Sequence, residues 1–251
     1  MITWILLRGL MRETRHWGDF VPQLQAARKN EPVLAIDLPG NGSLYQQPSP
    51  SRVSDMVEHC RAQLQQRGID GPIALVALSL GGMVASDWAA RHPQQVQRCV
   101  LINTSMRPFS PFYRRLQPRN YPALLGQGLR SRRGEEFEKL ILRLTSNRAD
   151  ASVLPDWYRW QQEHPVSRSN ALRQLLAAAR FSAPRQAPAA ALLVLAGAKD
   201  QLVDHRCSLS LAHHWRTAIA VHPWAGHDLP LDDAAWVVQQ LRYWWPQAQS
   251  R

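Results

Sequence analysis

Ser79 stands where an apolar run, Ile73-Ala74-Leu75-Val76-Ala77-Leu78, meets Leu80-Gly81-Gly82 and a second stretch of small and apolar residues. A buried strand that stops at a serine, turns on glycines and restarts as a helix holds that serine on a sharp corner, with its Oγ at the end of the sheet. Only small neighbours fit around such a corner, and Ala77, Gly81 and Gly82 meet that limit. A serine hydroxyl is a weak nucleophile by itself, so the chemistry needs a base and a group that orients the base. Two later glycine-bearing stretches supply candidates, Gly197-Ala198-Lys199-Asp200 and Gly226-His227-Asp228. Asp204 is a second acid close to the first: either it caps the following helix while Asp200 orients the histidine, or the roles are exchanged.

These residues must be carried by a sheet. The chain alternates short apolar runs with segments of helical spacing. Strands are expected at Thr3–Leu7, Val33–Asp37, Ile73–Leu78, Cys99–Asn103, Ala191–Ala196 and Thr217–Val221. Helices are expected over His16–Arg28, Ser51–Gln66 with Ser51 or Ser54 as N-cap, Gly82–Arg91, Asp204–Trp215 and Leu231–Trp245. Alternation of this kind predicts an α/β protein with a mostly parallel sheet and helices on both faces. In such sheets functional groups gather at the carboxyl ends of the strands. From Thr104 to Ala190 the alternation stops. Helical spacing recurs there at Phe137, Leu140, Ile141 and Leu144, at Trp157, Tyr158 and Trp160, and at Leu172, Leu175 and Leu176. We read residues 104–190 as a helical lid inserted into a core formed by 1–103 and 191–251.

At 251 residues and 45% hydrophobic, the chain suits one large soluble core. Cys60, Cys99 and Cys207 are odd in number and lack metal-ligand spacing, which argues against a disulfide framework or a zinc site and for a reducing, cytoplasmic setting. Met1–Leu7 reads as a first strand, and no run approaches the roughly 20 apolar residues of a membrane helix. The net charge of +11 is concentrated: residues 104–190 hold fifteen basic residues, among them Arg130, Arg132 and Arg133, against six acidic ones. That segment therefore carries nine of the eleven net charges.

The chain resembles the α/β-hydrolase superfamily along nearly its whole length. The resemblance rests on Arg8-Gly9-Leu10 with Trp17 downstream, Asp37-Leu38-Pro39-Gly40-Asn41-Gly42, Ala77-Leu78-Ser79-Leu80-Gly81-Gly82, Gly197 to Asp200, and Gly226-His227. The order nucleophile, acid, histidine is that of the superfamily's triad. Three positions depart from the usual pattern: Ala77 replaces a glycine, Arg8 a histidine, and Asn41 a histidine or aromatic residue. The resemblance implies that Ser79 attacks a carbonyl, His227 takes and returns the proton, and Asp200 fixes the imidazole. It further implies an oxyanion hole from the backbone N–H groups of Leu10 and Leu80, and no metal or organic cofactor. The expected activity is that of a serine carboxylesterase on small or medium acyl esters; thioesterase, carbon–carbon bond hydrolase, lyase or synthase, and a non-catalytic binding protein are the alternatives.

Trp17, Trp157 and Trp160 are candidate substrate contacts, with packing as the plainer role for the last two; Trp236, Trp244 and Trp245 are assigned to packing. The arginines of 104–190 have three readings. They form a solvated face, or they meet an anionic substrate or acidic protein, or they bind nucleic acid, ranked last for want of any reading motif. Within the superfamily, esterases that cleave the methyl ester of a pimeloyl chain on acyl-carrier protein are similar, and they imply an acidic carrier as the partner of this segment.

Overall fold

A computed structural model describes residues 1–128, 134–148 and 151–249. Arg130, Arg132 and Arg133 lie outside the described residues, as does the side chain of Trp245. Six strands, β1 (Thr3–Leu7), β2 (Val33–Ile36), β3 (Ile73–Leu78), β4 (Val96–Ile102), β5 (Ala191–Gly197) and β6 (Ala218–His222), form one sheet in the order β2-β1-β3-β4-β5-β6. Every pairing is parallel.

Residues of one strand alternate between the two faces, and the core is divided accordingly. Ile5, Leu7, Leu75, Ala77 and Cys99 face α2 (Val53–Gln66), α3 (Leu80–Arg91) and α9 (Arg206–Trp215). Trp4, Leu6, Val76, Leu78 and Val100 face α1 (Phe20–Ala27) and α11 (Ala234–Gln249), where Trp244 and Trp236 also pack. β3 is buried on both faces over all six residues, which explains its unbroken apolar sequence.

Between β4 and β5 the chain runs through α4 (Phe112–Arg115), α5 (Tyr121–Gly128), α6 (Glu135–Thr145), α7 (Leu154–Glu163) and α8 (Arg168–Arg180). The predicted helix over His16–Arg28 is a short 3-10 turn, Thr14–Trp17, then α1, because Gly18 takes φ +49° between them. The predicted caps of α2 are corrected. Its N-cap is Arg52, without a side-chain bond, and Ser54 lies inside the helix bonded to Asp55. The closing helix is likewise two pieces, α10 (Leu229–Asp232) and α11.

The helix over Arg168–Arg180 forms as its spacing predicts, but it docks through a different face. Leu172, Leu175 and Leu176 are exposed, whereas Asn170, Ala171, Gln174 and Ala177 are buried. Asn170 accepts from Ser49 N at 2.8 Å and donates to Gln47 O at 3.0 Å. Gln174 accepts from Met11 N at 2.9 Å and donates to Asn41 Oδ1 at 2.8 Å. The face is polar because it docks on loops, whose backbone N–H and C=O groups need partners once buried.

Candidate active site

Ser79 follows β3 directly and takes φ 55°, ψ −116°, a region that a side-chain-bearing residue occupies only when its surroundings force it. The forcing contacts are specific. Ser79 N donates to Ile102 O at 2.9 Å; Ser79 O accepts from Gly82 N at 2.9 Å and from Thr104 Oγ1 at 2.9 Å. A Cβ on Gly81 would stand 2.4 Å from Leu7 O, and one on Gly82 2.8 Å from Thr104. Glycine is therefore required twice for α3 to start this close to β1 and β4.

The end of β1 brings the second element. A Cβ on Gly9 would lie 3.1 Å from the Ser79 Cβ, so the Gly9-Leu10 turn rests against the serine. Leu80 opens α3, where a backbone N–H has no intrahelical acceptor. Neither Leu80 N–H nor Leu10 N–H donates to an acceptor among the described residues. Two unspent donors beside a hydroxyl are what a developing oxyanion needs.

His227 and Asp200 meet. His227 Nδ1 is 2.7 Å from Asp200 Oδ2, and both side chains are buried. The other carboxylate oxygen accepts from Leu202 N at 2.8 Å and Val203 N at 2.9 Å. An ionised carboxylate only accepts, so the proton between them sits on Nδ1 and leaves Nε2 as a lone-pair base. Asp204 does not reach His227, and the N-cap of α9 is His205, without a side-chain bond; the Asp204 carboxylate accepts from Arg206 N and pairs with the Arg206 side chain. Ser79 Oγ makes no hydrogen bond among the described residues. In resting sites the nucleophile-to-base bond is often long and tightens when substrate binds.

Several residues that position these groups escaped the sequence reading. Asn103, at the end of β4 with φ 46°, donates to Gly226 O and His227 O at 2.9 and 2.8 Å and accepts from Gly197 N at 2.8 Å. One amide thus ties β4, β5 and the histidine loop. Asp232 accepts from Gly226 N at 2.6 Å and Ser146 Oγ at 2.5 Å, and burial pushes its carboxyl up from the ordinary range. Arg8 and Asp228 form a buried two-pronged pair, Nη1 to Oδ1 at 3.0 Å and Nη2 to Oδ2 at 2.5 Å, with the guanidinium 4.9 Å over the Trp17 ring. Arg8 immediately precedes Gly9-Leu10 and Asp228 immediately follows His227, so the pair joins the two loops on either side of the serine. The signal was the departure itself: a cation where the superfamily has histidine, and an anion next to the base.

A cavity of about 810 Å³ opens beside the serine, lined by Leu10, Ser79, Leu80 and Met83 from the sheet side and by α4 and α8 on the other, with Arg107 and Arg115 among its walls. The three tryptophans lie elsewhere. Trp17 and Trp157 are buried, Trp157 under the Arg12 guanidinium at 4.3 Å, and Trp160 packs edge-on against His16; none lines this cavity. Asp37 accepts from Thr14 N, Ser43 N and Ser43 Oγ and braces its own loop. Among the described residues no cluster of three His, Cys, Asp or Glu could hold a metal ion. The three cysteines are buried and free, and burial pushes the Cys60 thiol up to about 12.

A parallel sheet with a serine at positive φ directly after its third strand, and a histidine and carboxylate paired beyond its fifth and sixth, defines the class. The chain belongs to the alpha/beta hydrolase family, whose model matches residues 5–240. Three curated relatives are similar over part of their length. The biotin biosynthesis bifunctional protein BioHC of Teredinibacter turnerae is 39% identical over 102 residues, 40% of this chain and 17% of that protein. A cis-3-alkyl-4-alkyloxetan-2-one decarboxylase of Xanthomonas campestris is 39% identical over 75 residues, 30% of this chain and 24% of that one. A pimeloyl-[acyl-carrier protein] methyl ester esterase of Chromobacterium violaceum is 36% identical over 93 residues, 37% and 34% of the two chains. The matched stretches thus span about a third or less of these relatives. Among solved structures, a meta-cleavage product hydrolase from Pseudomonas fluorescens superposes with a TM-score of 0.79 at 18% identity over 99% of this chain and 92% of its own, a likeness of fold.

Proposed function

We propose that this chain is a serine carboxylesterase that hydrolyses esters of small or medium acyl chains through an acyl-enzyme. Ser79 is the nucleophile, His227 the base and then the acid, and Asp200 the group that holds the imidazole. The oxyanion is received by Leu10 N–H and Leu80 N–H. The observation that carries this reading is the buried 2.7 Å contact between His227 Nδ1 and Asp200, which leaves Nε2 basic in a fold that also presents Ser79 at a forced positive φ. In the first half-reaction Ser79 Oγ bonds to the ester carbon as its proton passes to His227 Nε2. That proton leaves with the alcohol, and water repeats the sequence in reverse to release the acid. An aspartate at the elbow would favour the dehalogenase or epoxide hydrolase branch, and this chain has serine there.

A second reading has support of its own. The relatives named as pimeloyl-[acyl-carrier protein] methyl ester esterases, together with a basic 104–190 segment whose Arg107, Arg119, Arg173 and Arg180 pair with no carboxylate among the described residues, support an ester carried on an acidic acyl-carrier protein. In that reading the 104–190 segment is a lid that docks the carrier. No helix of the described residues is long and apolar enough to cross a membrane.

Labelling with a fluorophosphonate probe tests the catalytic assignment. The wild-type chain is expected to be labelled at Ser79 and Ser79→Ala to be silent. Asp200→Asn, which leaves the shape but allows the wrong tautomer, is expected to lower kcat on a para-nitrophenyl ester by about 10⁴. An unlabelled wild-type chain, or Asp200→Asn within tenfold of wild type, sinks the assignment.

A further inference from the structure

Arg115 is a cation without a counter-ion beside the nucleophile. It ends α4, is half-buried, and lines the cavity that Ser79 opens into. Its Nη2 donates to Ala178 O at 2.6 Å, its Nε is buried with no acceptor, and no carboxylate pairs with it among the described residues. Arg107 lines the same cavity, also without a carboxylate, and lies close enough to raise the electrostatic cost of the Arg115 charge. Among the described residues no carboxylate lines the cavity, and Asp204, whose backbone N–H bonds to Arg114 O at 2.9 Å, is committed to Arg206. Desolvation disfavours the Arg115 charge most, and the neighbouring Arg107 guanidinium adds a smaller repulsion. A cavity so arranged is relieved when an anion enters it, and a guanidinium fork fits a carboxylate in two-pronged fashion.

We propose that the cavity selects esters whose acyl chain ends in a carboxylate, that is, half-esters of dicarboxylic acids, and that Arg107 and Arg115 read that carboxylate while the ester end lies at Ser79. The inference rests on the reading of Ser79 as the nucleophile and gives that site its substrate class. The rest of the lining suits such a molecule. Leu10, Leu80, Met83, Leu116, Leu175 and Val203 give the same cavity apolar wall, where each buried CH₂ stabilises binding by about fourfold. The proposal places the carboxylate on the acyl side, where it stays bound through both half-reactions, whereas an anion on the leaving alcohol departs with the first product. Hydrolysis then yields the free diacid and an alcohol, with water as the only co-reactant.

The test compares monomethyl esters of linear dicarboxylic acids with neutral methyl esters of matched chain length. For wild type, kcat/KM is expected to favour the half-ester at one preferred length by at least tenfold. In Arg115→Met and in Arg107→Gln the ratio of half-ester to neutral ester is expected to fall roughly 10- to 100-fold, the value of one charge-assisted hydrogen bond. Arg115→Lys, which keeps the charge and loses the fork, is expected to fall between. A ratio is read because a general loss of folding moves both substrates together. Binding is measured separately by calorimetric titration of Ser79→Ala with the half-ester, and of Ser79→Ala combined with Arg115→Met. Tight binding to the first and weak binding to the second, without turnover in wild type, would leave the anion site standing and remove the esterase reading. Equal binding to both, or a wild-type preference for neutral esters at every length, overturns the proposal. So does discrimination that appears only when the anion is a phosphate on the leaving group.

Discussion

Arg8→Met tests whether the two loops flanking Ser79 are held by charge. The side chains of Arg8 and Asp228 are 3% and 5% exposed and share two hydrogen bonds, of 3.0 and 2.5 Å. Removing the guanidinium leaves a carboxylate buried without its partner, and breaking such a pair costs about 3 to 5 kcal/mol. For a chain of this size each kcal/mol lowers the melting temperature by roughly 2 to 4 °C, so Arg8→Met is expected to melt roughly 6 to 20 °C below wild type. Asp228→Leu is expected to fall by a comparable amount, since it strands the cation. The double variant, Arg8→Met with Asp228→Leu, replaces both charges by apolar groups and is expected to recover most of the stability, because an apolar substitute for a buried pair is often neutral or better.

The assay is a double-mutant cycle in urea, read beside kcat/KM on a small ester and repeated at 0.1 and 0.5 M salt. A buried pair is little screened, so the coupling is expected to survive the added salt. Activity is expected to behave differently from stability. The double variant keeps the fold but loses the tether between the Gly9-Leu10 turn and the His227 loop, so its kcat is expected to stay well below wild type. Displacements near 1 Å at a reacting centre reach about 100-fold. Single variants that each lose less than about 1 kcal/mol, as a surface pair would, would refute the burial argument. Full activity in the double variant would refute the positioning one.

Two further outcomes follow from particular contacts. Gly81→Ala places a Cβ 2.4 Å from Leu7 O and 2.7 Å from Arg8 O, both backbone atoms; it is expected to lose about 1 to 3 kcal/mol by denaturant midpoint and to lose esterase activity more steeply, because the displaced strand end carries Leu10. His16 is held neutral by burial first, and then by the charges of Arg12 and Arg8, so its folded value lies well below the ordinary 6.5. Below pH 6.5 the unfolded chain takes up a proton that the folded chain does not, so stability falls with acidity by about 1.4 kcal/mol per pH unit from this group; His16→Gln is expected to flatten the pH 5 to 6.5 slope of the unfolding free energy by that amount, and an unchanged slope would count against the assignment.

The sheet and its corner were legible because their causes are local. An unbroken apolar β3, a serine, and glycines with no room for a Cβ are all visible in sequence order. What escaped was set by partners distant in the chain. β4 begins at Val96, three residues before the continuous apolar run, because Gln95 and Arg98 stand within or beside a strand whose neighbours are fixed only by pairing. The docking face of α8 is not legible from its leucines, because leucines at helical spacing normally mark burial. Here Asn170 and Gln174 take that place by satisfying loop backbone at Ser49 and Met11. Asn103 looked like the end of a strand, and only the arrival of Gly197 and Gly226 gives its amide a purpose.

The segment between β4 and β5 divides by what it touches. The end of α6 reaches the base: Thr145 O accepts from Asp228 N at 2.7 Å, and Ser146 and Asn147 bind Asp232, which in turn holds Gly226. α4 and α8 instead wall the cavity. Changes at the α6 end therefore act on His227 through backbone, and their effects should be shared by every substrate. Changes on α4 and α8 act on whatever fills the cavity, and their effects should differ from one ester to the next. Arg8 and Asp228 lie on the sheet side of that division, and Arg107 and Arg115 on the other, which is why the first pair is read by a stability cycle and the second by a ratio of substrates.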